Sequence, residues 1–114
     1  MTSTVTQVRL WYWQRLSAMA LAFFVLVHLA IIIYAVRGGL SGAEILARTH
    51  GSWSFGLFYA AFVIACAVHV PIGVDRILRE MLGMPERAAT LLSALFGLLL
   101  LLMGLRAVYG VVLA

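Results

Sequence analysis

The chain has 114 residues, of which 65% are hydrophobic and 11% charged, and its mean hydropathy is +1.10. A soluble domain of this size cannot hide that much apolar surface, because its interior is small and its outside must stay wet. The charges collect in short clusters between long uncharged stretches, the pattern of a chain solvated by lipid, so the net charge of +4 belongs to membrane topology and anionic headgroups rather than to nucleic acid.

In chain order, Met1 to Gln7 is polar and carries no basic residue. The apolar run that follows is longer than a signal-peptide core and lacks a small-residue cleavage site, so the first helix is expected to stay. Three segments are long enough to span: Leu16 to Val36 and Trp53 to Val74, both without formal charge, and Ala88 to Ala114, with only Arg106. At about 1.5 Å per residue, roughly 20 residues cross a hydrocarbon core of about 30 Å. In lipid the backbone must satisfy itself, which makes these segments helices. The expected fold is an all-α integral membrane three-helix bundle, a single domain over residues 1–114 with helices near 13–36, 53–76 and 88–113.

The connectors are short. Gly38, Gly39, Ser41 and Gly42 open the first, and Ala43 to Thr49 reads as a brief surface helix. The second, Asp75 to Arg87, reads as an amphipathic turn of helix ending at Gly83 and Pro85. All eight basic residues are arginines. Arg9, Arg15, Arg76, Arg79 and Arg87 share one side, against Arg37 and Arg48 on the other. The expected orientation therefore has the N-terminus cytoplasmic and the C-terminus outside. No repeat or catalytic-sized loop is present, so the chain works inside the membrane or anchors something else.

Chemistry can reside in few places. His28 lies in the outer half of the first span and His69 in the inner half of the second. Ionisable residues at membrane depth are costly and read as functional. A neutral imidazole can ligate haem iron without bringing charge into lipid. Leu21, Phe24 and Ser17 lie on the face of His28; Phe62, Ala65, Cys66 and Gly73 lie on that of His69. Gly73, one turn from His69, leaves room for a flat ring, and Pro71 removes a helix hydrogen bond nearby. Cys66 reads as a small apolar residue and His50 as a solvated loop histidine. Arg106 either snorkels outward or pairs with a haem propionate.

Taking Arg15 and Arg76 as level, the two histidines differ in depth by roughly 9 Å. Two axial ligands of one upright haem belong at similar depth, so His28 and His69 do not bind the same haem; if both are ligands they serve two haems, and the missing ligands then come from a partner subunit or a second copy of this chain. The competing reading is a non-redox assembly or transport subunit whose histidines are interhelical glue.

Arg15-Leu16, His28-Leu29, Ala35-Val36-Arg37-Gly38 and His69 followed by Gly73 resemble the cytochrome b membrane anchor of succinate:quinone oxidoreductases and fumarate reductases. The resemblance is closest to the two-haem class, where the first-helix histidine ligates the distal haem and the second-helix histidine the proximal one. That class has five helices in one chain, so three helices imply a partner. In the one-haem class, Gln14-Arg15-Leu16-Ser17-Ala18 falls on the His-Arg-x-Ser-Gly quinone-site pattern, with Gln14 in place of the histidine, Ala18 in place of the glycine, and Trp11 at the position of a quinone-site serine. The resemblance implies haem b, one or two, shared with a second membrane subunit. It also implies a quinone substrate near Arg15, Ser17 and Gln14, with iron–sulfur and flavoprotein subunits docking near Arg76 and Arg79. The location implied is a bacterial-type inner membrane. Ser93, Gly97 and Gly104 offer a close-packing seam for the partner.

Overall fold

The computed structural model describes residues 3–113. It contains α1 (Thr4–Gly38), α2 (Gly42–Thr49), α3 (Trp53–Glu80) and α4 (Glu86–Val112). The three long helices are long and apolar enough to cross a membrane, and α2 is the short helix between the first two. The fold is thus the all-α three-helix membrane bundle. Its large apolar side chains point outward: Phe23 is 62% and Leu26 68% exposed. Among the described hydrophobic residues only Ala89 and Val112 are buried. Such an outside is stable only against lipid.

Two boundaries differ from those the hydropathy pattern suggests. α1 starts at Thr4 instead of near residue 13, because the Ser3 hydroxyl caps it by accepting from the Thr6 N–H at 3.1 Å. Its 35 residues make about 52 Å of helix, more than the hydrocarbon core needs, so its first turns project from the membrane. α3 runs to Glu80, so most of the expected separate turn in the second connector is its last stretch. The chain then reverses at Gly83, whose φ of +62° suits glycine.

α3 is the central helix: α4 packs along one side of it and α1 along another, while α1 and α4 hardly meet. Both pairs are antiparallel. The α3–α4 contact is built from small residues. A Cβ on Gly97 would run into the Pro71 ring, and one on Gly104 would meet Val63. Ser93 and Ala89 continue this buried line. The seam of Ser93, Gly97 and Gly104 therefore packs α3 of the same chain, not an external partner. α3 stays helical through Pro71, although proline leaves the Ala67 carbonyl without its helix donor. That carbonyl lies against Gly97, 3.5 Å from where a Cβ would stand, so the α4 backbone covers the defect.

Polar ties close the two ends. At one, Arg79 holds Asp75 at 3.1 Å, Glu86 at 3.6 Å and the Thr90 hydroxyl at 2.7 Å, joining α3 to α4. At the other, α2 caps α4: the Thr49 hydroxyl donates to the Val111 carbonyl and the Gly51 N–H to that of Val112, both at 2.7 Å. These carbonyls lie in the last turn, where a helix has no donors of its own.

Candidate functional site

The α1–α3 interface has a different chemistry. Nearer the N-terminal end of α1 it pairs Ser17 with His69, the hydroxyl oxygen 3.3 Å from Nδ1. Nearer the C-terminal end of α1 it pairs His28 with Tyr59, Nδ1 lying 3.3 Å from the phenolic oxygen. Between them the rings interlock. Phe24 stacks on Phe62 with centroids 5.7 Å apart and meets Phe58 edge-on at 5.4 Å. The His28 ring meets both Tyr59 and Phe62 edge-on. Edge-to-face and offset contacts suit the ring quadrupoles and fix side-chain positions.

The two hydrogen bonds set the register. His69 is level with Ser17 and His28 with Tyr59. Eleven residues separate Ser17 from His28 and ten separate Tyr59 from His69, so the imidazoles stand about 15 Å apart along the helix axes. This exceeds the 9 Å inferred from the arginines. The difference arises because Arg15 and Arg76 are not level: in this register Arg15 stands opposite Pro71, and Arg76 lies about 7 Å further toward the N-terminal end of the bundle.

The remaining candidates separate into two groups. Gln14 and Ser17 face α3. The Gln14 amide lies over Gly73, its Nε2 3.4 Å from where a Cβ would stand. Gln14 Oε1 is buried and lacks a hydrogen-bond partner among the described residues. Arg15 faces away, exposed, with its guanidinium 5.3 Å from the Trp11 ring centre. Gln14, Arg15 and Ser17 thus do not converge on one point. Arg106 is exposed on α4, 5.4 Å from the Tyr109 ring centre. His50 is an exposed residue ending α2. Arg76 is exposed, whereas Arg79 is committed to the α3–α4 tie.

Because α1 and α4 stand apart, α3 floors open clefts between them. One, of about 430 Å³, is lined by His28, Tyr59, Phe62, Cys66, Met103 and Gly104 among others. It is apolar apart from its histidine and tyrosine. A second, of about 300 Å³, lies toward the N-terminal end between Leu10, Pro71, Arg76 and Thr90.

Tyr59 and Phe58 were not singled out from the sequence. Tyr59 had a usable signal: a phenol two turns inside an apolar span needs a hydrogen-bond partner, and His28 is the polar group that α1 brings to it. Among the described residues no group of three or more His, Cys, Asp or Glu side chains gathers as metal donors. The histidines stand singly, as axial ligands to a metal already held in a macrocycle do.

No curated protein and no solved structure matches the chain. A family described as the succinate dehydrogenase/fumarate reductase transmembrane subunit matches residues 2–111. Length, three apolar helices and this match agree, and the chain belongs to that family of membrane subunits.

Proposed function

We propose that the chain is a haem b-binding anchor that helps pass electrons between an iron–sulfur subunit and a membrane quinone, with His69 as its principal axial ligand. The observation that carries this is the setting of His69. Its imidazole sits within the apolar stretch of α3, toward the Val74 end, with Nδ1 engaged by Ser17, which leaves the other ring nitrogen available. One turn on, Gly73 would accept a methyl at an ordinary contact distance from Gln14. Packing within this chain therefore does not demand glycine there, in contrast to Gly97 and Gly104. With the Gln14 amide turned aside, the Gly73 backbone beside His69 would admit a flat macrocycle.

The residues present fit such a group. Haem, when bound, supplies one-electron carriage at membrane depth. The chain supplies position: the Ser17 contact orients the His69 ring, and the aromatic column between α1 and α3 holds the two helices at fixed spacing. His28, about 15 Å away along the axes, is the candidate ligand of a second haem, and Arg106 the candidate partner of a propionate. α4 contains no histidine, so opposing ligands come from a second membrane subunit or a second copy of this chain.

Arg15 over Trp11 offers a donor and a flat ring for a quinone headgroup at the membrane surface, with Gln14 behind them. Five arginines cluster at this end of the bundle, which supports a cytoplasmic position for it in a bacterial-type inner membrane. Arg76, exposed there, is the candidate contact for the iron–sulfur and flavoprotein subunits.

A second reading, histidines as structural glue, draws on the fact that both rings have hydrogen-bond partners inside the chain. Haem quantification on the purified complex separates the two. The haem reading predicts a b-type reduced-minus-oxidised spectrum, and two haems of which His28→Ala removes one. A colourless complex selects the glue reading. One haem untouched by His28→Ala removes the second-haem assignment alone.

A further inference from the structure

The Ser17 hydroxyl has a role that follows from counting its proton. Ser17 is 6% exposed, and its oxygen contacts two groups: the Gln14 carbonyl at 3.1 Å and His69 Nδ1 at 3.3 Å. A hydroxyl has one proton and two lone pairs, and a carbonyl oxygen can only accept. The Ser17 proton therefore goes to the Gln14 carbonyl. The contact with His69 must then run the other way, from Nδ1–H into a Ser17 lone pair. A neutral imidazole carries one N–H, so Nε2 is left bare.

Two internal comparisons sharpen this. Ser93 is also a buried serine on a membrane helix, and it donates to carbonyls of its own helix, Ala89 at 2.7 Å and Thr90 at 3.1 Å. It has no hydrogen bond to another helix among the described residues, so its bonding there is local. His28 faces the Tyr59 hydroxyl, and that hydroxyl has no second acceptor among the described residues. Its proton is free to point at the ring, and the His28 tautomer is not fixed. Among the described residues, only at Ser17 does a helix carbonyl take the hydroxyl proton while a histidine faces the other lone pair.

We infer that Ser17 is a positioning residue that locks His69 in the Nδ1–H tautomer and so presents Nε2 as a ready ligand for haem iron. The inference rests on His69 being a haem ligand. It gives Ser17 a task other than donating to quinone, since its one proton is already used. A hydrogen bond on the remote N–H also makes the coordinating nitrogen a stronger donor, which favours the oxidised metal.

The test has two readouts. In the full chain, ¹⁵N-histidine labelled and reconstituted in lipid without haem, NMR is expected to show His69 protonated at Nδ1. Ser17→Ala should lower the ratio of that tautomer to the other by roughly fivefold, the equilibrium equivalent of one ordinary hydrogen bond, and Ser17→Thr should restore it. In the assembled complex, Ser17→Ala should keep the b-type spectrum but shift the midpoint potential upward, and Ser17→Thr should return it. An Nε2–H tautomer in the wild-type chain overturns the inference without needing any variant to fold. So does a tautomer ratio and potential that Ser17→Ala leaves unchanged. Haem that survives His69→Ala with an unaltered spectrum overturns the underlying ligand assignment instead, while the apo-chain tautomer result stands by itself.

Discussion

Toward α4, α3 meets glycine, alanine and serine, and the backbones close until a proline ring fills the notch left by Gly97. Toward α1 the interface holds two histidines, His28 from α1 and His69 from α3 itself, each held to a hydroxyl of the facing helix, with stacked rings between them. In lipid no hydrophobic force drives helices together, so close van der Waals packing must do it; the α4 side is made for that. The α1 side keeps polar groups at membrane depth that packing alone would replace by leucine, and such groups signal function. The two glycine types mark the same division. Gly97 and Gly104 are required by contacts inside the chain, whereas Gly73 is not.

If this division is right, changes on the two sides should have separable effects. The largest on stability is expected from Gly97→Leu, which drives a side chain into Pro71. Overpacking of this kind costs about 1–3 kcal/mol or more, read as a lower unfolding midpoint in mixed micelles. A Gly97→Leu chain as stable as wild type would break the account of that interface. Thr49→Val, which removes the donor to the Val111 carbonyl, is expected to cost about 1 kcal/mol and to loosen the α4 end, visible as faster amide exchange there. Tyr59→Phe should cost about 0.5–1.5 kcal/mol and change the environment of His28 while leaving that of His69 unmoved. Gly73→Ala should change the stability of the chain without haem by less than about 0.5 kcal/mol and yet reduce haem occupancy. Equal effects with and without haem would place Gly73 with the packing glycines.

The spans were readable from the sequence because length and hydropathy are local properties, and lipid leaves the backbone no alternative to helix. The small-residue seam was readable for the same reason, as a stripe on one helix, but its target was not. A stripe does not say which helix it packs against, and here it is α3 of the same chain. The depth of the histidines was misjudged because arginines snorkel over several ångströms and are poor rulers. Register is set by cross-helix pairs such as Ser17–His69, which no single segment reveals. Ser17 itself was found as a polar residue at a helix end. That it faces a histidine 52 positions away is a property of the packed pair.

The central claim is that His69 holds haem. The most direct test is the reduced-minus-oxidised spectrum of the purified complex carrying His69→Ala, with bound haem quantified against the wild-type complex at equal subunit content. The expected result is a b-type spectrum in the wild type and loss of the His69-dependent haem in the variant. A variant complex that assembles with its full haem content and an unchanged spectrum would contradict it.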